Sequence, residues 1–118
     1  MQSIESFRDL IVWQRSIELT VAIYSLTKDF PADERFGLTS QLRRASVSVA
    51  SNIAEGYGRG STNEYRHFLS MARGSTAEVQ TQLIIARRLC MGSEASIVKA
   101  DSFAHEIHRM LVSLIAKL

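Results

Sequence analysis

The segment Asn52–Gly60, "NIAEGYGRG", running on into "STNEYRHF", sets three glycines at alternate positions (Gly56, Gly58, Gly60) with Arg59 among them. A glycine-rich stretch ahead of a helix is where a protein can cradle phosphate, because the first N–H groups of a helix lack internal partners. A P-loop needs a lysine followed by Ser or Thr after its last glycine, and a strand leading in. Here Ser61 follows Gly60 directly and the preceding residues have helical spacing. The dinucleotide pattern G-x-G-x-x-G fails as well, since Ser61 stands where its third glycine belongs. Two readings survive: an anion-binding corner formed by the start of the next helix with Arg59 and Arg66, or a plain hairpin turn whose glycines adopt positive φ.

Other reactive residue types lead no further. Glu64-x-x-His67 matches half of a bundle di-iron motif, but such a site needs a second copy on another helix and two further glutamates. His105 and His108 flank Glu106 without a complementary carboxylate pair. The serines of "RASVSVASNIA" (Ser46, Ser48, Ser51) alternate with small apolar residues, a pattern suited to close helix approach. Neither they nor Ser75 has a histidine and a carboxylate at triad-like positions. The expectation is a protein that is not an enzyme, with no catalytic residue, cofactor or metal.

The elements that position these residues are helical. Leu10, Trp13, Ile17, Val21 and Tyr24 form one stripe of a first helix, and Leu19, Ile23 and Leu26 a second stripe. It ends before Phe30-Pro31, because the residue preceding proline is pushed out of the α region. Asp33 is a candidate cap for a second helix carrying Leu38, Leu42, Ala45, Val49 and Ile53 and closing near Gly56. Ser61 and Glu64 form a capping box for a third, with Tyr65, Phe68, Leu69, Ala72, Val79, Leu83 and Ala86 as its apolar face. Gly92 closes it, and Ser93 caps a fourth with Ile97, Ala104, Ile107, Leu111 and Leu114. Short connections favour antiparallel neighbours, so the spacing predicts an all-α, up-down-up-down four-helix bundle as a single domain over 1–118. The first helix and "VQTQLIIARRLCM" are apolar on more than one face, which predicts self-association or, alternatively, a wide core stripe.

Composition bounds the rest. Fourteen basic residues, most of them arginine, stand against twelve acidic ones, for a net charge of +2. That surplus permits a nucleic-acid partner without requiring one. Cys90 is the single cysteine, so no intramolecular disulfide forms, and its apolar run suggests a buried thiol. "MQSIESFRDL" has neither the basic nor the apolar region of a signal peptide, and no apolar run reaches the length of a membrane span. The expected location is the cytoplasm, without membrane association.

Polar residues concentrate around the second-to-third helix hairpin. A turn at 57–60 sets Ala45 opposite Ala72 and Val49 opposite Phe68, with Arg43 and Arg44 level with Arg73, Gly74 and Ser75. Glycine inside a helix costs about 1 kcal/mol against alanine, so Gly74 predicts a close backbone approach. Glu78 lies within reach of an arginine. Glu55 at a helix C-terminus is disfavoured by the macrodipole and calls for a partner such as Arg59 or Arg66. "QLRRA…SNIAEG…GSTAE" thus reads either as groups paired with one another or as arginines free to meet phosphate.

The order "FRDLIVWQ" followed by "DERFGLTSQLRRASVSVASNIAEGYGRGSTNEYRHFLSMARGSTAEVQTQL" resembles the 23S rRNA intervening sequence proteins, from about Phe7 to Leu89, with little signature in the fourth helix. These are small bacterial four-helix-bundle proteins. The resemblance implies a homopentameric ring and distant kinship with accessory proteins of diversity-generating retroelements, basic bundles that bind a reverse transcriptase and nucleic acid. It implies no established enzymatic activity. The positions matching the family pattern are Arg43, Arg44, Asn52, Glu55, Gly56, Arg59, Gly74, Ser75 and Glu78. The resulting expectation is a non-enzymatic oligomeric binding module that contacts RNA or a nucleic-acid-associated protein through Arg43, Arg44, Arg59, Arg66 and Arg73. The alternative is a structural or protein-interaction scaffold whose arginines are used in internal and inter-subunit ion pairs.

Overall fold

A computed structural model of the chain describes residues 3–118; Met1 and Gln2, the first residues of the stretch inspected for a signal peptide, lie outside it. Among the described residues the regular structure is entirely helical. Four long helices, α1 (Ile11–Thr27), α2 (Leu38–Gly58), α3 (Thr62–Arg88) and α4 (Glu94–Lys117), are joined by short connections. Two single 3-10 turns precede α1 and α2, at Phe7–Asp9 and Ala32–Glu34. Each helix packs on two others: α1 on α2 and α4, α3 on α2 and α4. The helices therefore form a square with one core along its axis.

That core is aliphatic. Leu19, Ile23, Leu26, Leu42, Val49, Ile53, Leu69, Val79, Leu83, Ile107 and Leu111 are all fully enclosed or nearly so. Burying one such side chain contributes about 1.5–3 kcal/mol, which exceeds what any single surface pair offers. The stripes expected on α2 and α4 are the ones that point inward. On α1 the roles of the two stripes differ: Leu19, Ile23 and Leu26 enter the core with Val12 and Ala22, whereas Ile17, Val21 and Tyr24 stand 39%, 65% and 43% exposed. Both stripes have helical spacing, and only contact with α2 and α4 decides which one is covered.

The helix ends explain further differences from the sequence reading. Asp33 does not cap α2. It lies in the 3-10 turn, and Glu34 accepts the Leu38 N–H at 3.0 Å instead. Helix α2 runs through Gly56 to Gly58, so the chain turns at Arg59–Ser61, later than expected. Ser61 accepts the Glu64 N–H at 3.1 Å and Ser93 accepts the Ser96 N–H at 3.1 Å, so both serines cap the helices assigned to them. Helix α3 stops at Arg88, which puts Cys90 in a left-handed turn at φ 57° with its thiol exposed rather than buried. Gly92 closes the same turn at φ 75°, where an added Cβ would fall 2.5 Å from Leu26 Cδ1. Across this turn Arg87 pairs with Glu94 and holds its carboxyl below the usual carboxylate range.

Candidate nucleic-acid interface

The late turn at Arg59–Ser61 resets the register of the α2–α3 hairpin. Ser48 Oγ lies 2.9 Å from Ser75 Oγ. Gly56 packs against Phe68, where a Cβ on the glycine would come 2.6 Å from the Phe68 Cβ. Phe68 therefore sits against Gly56, not opposite Val49. The close backbone approach expected at Gly74 occurs at Gly56; Gly74 is exposed, with no atom within 4 Å of where its Cβ would stand. The cause is the extra half-turn of α2 past Gly56, which carries every facing pair along with it.

In this register the candidate arginines separate into three groups. Arg43 turns toward α1, where its Nε donates to Thr27 Oγ1 at 2.9 Å and its guanidinium lies 4.4 Å from the centre of the Tyr24 ring. Arg44, exposed, lies between two grooves. At the hairpin end Arg59 pairs with Glu55 at 3.6 Å and lies over the Phe68 ring at 5.0 Å, while Arg66 reaches only Asn63, at 3.4 Å. Arg73 is exposed on α3 and forms no ion pair among the described residues. Arg44 lies in α2 and Arg59 just past its end, fifteen positions and about 22 Å along the axis away, so the five arginines do not converge on one site. The corner at the start of α3 already has its cap in Ser61 and its arginines engaged with Glu55 and Asn63.

The groove between α1, the α1–α2 connection and α2 has a volume of about 590 Å³ and is lined by Arg35, Arg43 and Arg44 together with Tyr24, Phe36 and several hydroxyls. No carboxylate lines it, and none of the three arginines forms an ion pair among the described residues. Phe36 is 87% exposed, with the Arg35 guanidinium 5.3 Å from its ring centre. Three cations and two accessible aromatic faces without a local counter-charge offer phosphate contacts and stacking surfaces together. Sequence reasoning missed Arg35 and Phe36 and placed Tyr24 only on one of the two apolar stripes of the first helix. The available signal was Phe36 itself, an aromatic residue beside Gly37 that fits none of the helical stripes.

On the opposite flank of α2, between it and α3, a smaller groove of about 280 Å³ is lined by Gln41, Arg44, Ala45, Ser48, Ser75, Glu78 and Gln82. One turn along α2 from Ser48, Asn52 Nδ2 donates to Ser48 O at 2.9 Å and to Ser48 Oγ at 3.0 Å. Gln82, which the sequence reading passed over, is nine-tenths buried, and its Oε1 has no hydrogen-bond partner. Arg44 and Glu78 share the groove without forming an ion pair. Elsewhere Glu106, which His105 and His108 flank, pairs with Arg15 at 3.0 Å. His67 packs edge-on against Phe68 with ring centres 5.7 Å apart.

These features define an all-α four-helix bundle. The chain belongs to the 23S rRNA-intervening sequence protein family, whose model matches residues 8–113 and so takes in α4 as well as the three helices that carry the recognisable motifs. Among solved structures it is similar to a crystal structure of a protein with unknown function from the S23 ribosomal protein family of Bacteroides thetaiotaomicron. The two are 22% identical, the match covers 89% of this chain and 98% of that one, and the TM-score is 0.79. At that identity the likeness is one of fold. No curated protein matches. No helix among the described residues is long and apolar enough to cross a membrane.

Proposed function

We propose that the chain is a non-enzymatic, oligomeric binding module that holds RNA through the groove between α1 and α2. The observation that carries this reading is the cluster of Arg35, Arg43 and Arg44 with Tyr24 and Phe36, lined by no acidic residue. Arginine suits phosphate because its planar guanidinium presents several donors at once. Arg43 is held ready by Thr27 and Tyr24, so little side-chain freedom is lost when it binds. The bacterial cytoplasm is the setting this reading implies.

The proposed assembly is an antiparallel up-down-up-down bundle closing with copies of itself into a homopentameric ring. The pairs Ser48–Ser75 and Gly56–Phe68 support opposed directions for α2 and α3, as Thr20–Ser46 and Thr27–Arg43 do for α1 and α2. Rings require two different complementary patches on each subunit. Exposed aliphatics occur on two sides of the helix square, Ile17, Val21 and Val47 on α1 and α2, and Ile84, Ile85 and Val98 on α3 and α4. A second reading, a protein scaffold, is favoured by the arginines already engaged within the chain, Arg59 with Glu55 and Arg15 with Glu106.

Titration of a fluorescent single-stranded RNA at low and moderate salt tests the proposal. With Arg35 and Arg43 meeting phosphates, the slope of log affinity against log salt is about −1.4. Replacing Arg35 with alanine should flatten that slope and weaken binding. Absence of binding at low salt, or binding indifferent to salt, overturns it in favour of the scaffold.

A further inference from the structure

The two grooves on either flank of α2 are joined by shared residues: Arg44 and Ser48 line both. A strand whose phosphates lie along Arg35 and Arg43 therefore passes the mouth of the α2–α3 groove, and that groove has the chemistry of a base pocket. We infer that the groove between α2 and α3 receives a guanine base of the bound RNA, read by Arg44 and Glu78. This rests on the RNA-binding reading above and adds a sequence preference to it.

The assignment follows from donors and acceptors. Guanine alone among the four bases combines an adjacent pair of acceptors, O6 and N7, which a guanidinium meets bidentately, with an adjacent pair of donors. Those donors, N1–H and the N2 amino group on its Watson–Crick edge, match the two oxygens of a carboxylate. Arg44 and Glu78 are the one cation and the one anion of the groove, neither forms an ion pair among the described residues, and each has bidentate capacity. Adenine offers its amino donor beside an acceptor on each edge, so Arg44 or Glu78 would face a group of the wrong kind. Cytosine and uracil lack the imidazole edge altogether. The Gln82 amide supplies the independent sign that the groove is built for a polar occupant. It is nine-tenths buried with an unmet carbonyl oxygen, and leaving such a group unpaired is costly. Gln82 lines the groove, and the guanine amino group has a second proton, beyond the one Glu78 takes, to offer its amide.

Fluorescence anisotropy with single-stranded RNA decides the matter. A uridine-rich strand carrying guanines should bind at least about tenfold more tightly than the same strand carrying adenines. Replacing those guanines by inosine, which lacks the N2 amino group, or by 7-deazaguanine, which lacks N7, should each remove part of the preference. Glu78→Gln should bring the guanine strand to the affinity of the adenine strand, with circular dichroism reporting that the helices are intact. The base analogues test the wild-type chain and so stand even if the variant misfolds. Equal binding of guanine and adenine strands, or a preference that survives in folded Glu78→Gln, overturns the inference and leaves RNA binding in place. No binding of any strand at low salt overturns both. Guanosine monophosphate should displace the strand only at concentrations well above the strand's own Kd; if it binds as tightly, the occupant is the free nucleotide and the strand assignment falls.

Discussion

The α2–α3 seam and the α1–α4 seam meet the same demand, closing one side of the helix square, with different side chains. Along α2 and α3 the contacts are small: Ser48 meets Ser75 and Gly56 is pressed against Phe68, while Asn52 of α2 donates back to Ser48 within its own helix. Along α1 and α4 they are larger and oily, with Leu10, Val12, Met110 and Leu114 along one groove and the Arg15–Glu106 pair bridging further along. Small residues bring two backbones close, which fixes their register by exclusion. Large aliphatics supply more buried area and tolerate adjustment. The α2–α3 seam therefore sets a polar contact where two backbones approach closely.

The largest effect that tests this contrast belongs to the oily seam. Leu111 is fully buried on α4, next to Met110. Leu111→Ala removes a filled volume and should cost about 2–5 kcal/mol in denaturant unfolding. A loss well under that range would mean the seam collapses around the cavity and is looser than the aliphatic packing suggests.

Gly56→Ala is the matching test on the polar seam, with a smaller expected cost of about 1–3 kcal/mol from overpacking. The obstacle is the Phe68 Cβ at 2.6 Å, part of a side chain rooted in α3, so α2 and α3 must separate to admit the methyl. The polar groove should feel that separation. In the same variant, loss of the Ser48–Ser75 contact should appear as faster amide exchange along this stretch of α2. Unchanged stability and exchange would show that the seam is pliable after all.

The difference between the seams also decides what was legible beforehand. The inward stripes of α2 and α4 were readable because each of those helices has one dominant apolar face. On α1, Leu19 and Val21 sit on competing stripes, and the choice between them depends on neighbours that spacing does not reveal. The hairpin register was misplaced because Gly56 reads as a stop signal, yet α2 continues to Gly58 and the facing pairs move with it. Arg43 and Arg44 were recognised as a pair, but adjacent residues on a helix point about 100° apart, so one joins α1 while the other overlooks α3. Phe36 and Gln82 acquire their interest from what surrounds them: solvent and arginine for one, an unmet oxygen in a groove wall for the other.

Gly74→Ala carries the next smaller effect and the opposite sign. With nothing within 4 Å of the new methyl, the isolated chain should gain up to about 1 kcal/mol from the better helix former. If a neighbouring subunit uses the bare backbone there, the same variant should weaken assembly in sedimentation velocity. A more stable chain with unimpaired assembly would place the subunit contact elsewhere and leave Gly56 as the one glycine of the two that packing demands.

The smallest effect returns to the oily seam and asks whether its inter-helix ion pair matters. Arg15 Nε lies 3.0 Å from Glu106 Oε1, and Arg15 also reaches Glu18 at 3.3 Å, so removing Glu106 leaves the guanidinium a second partner. Both side chains of the inter-helix pair are more than a third exposed, where such pairs contribute about 0.2–1 kcal/mol and are screened by salt. A double-mutant cycle on Arg15→Ala and Glu106→Ala should return a coupling in the lower part of that range, falling further at high salt. A coupling above about 1 kcal/mol that survives salt would mean the pair locks α1 to α4, giving the oily seam a polar register device of its own and removing the contrast with α2–α3.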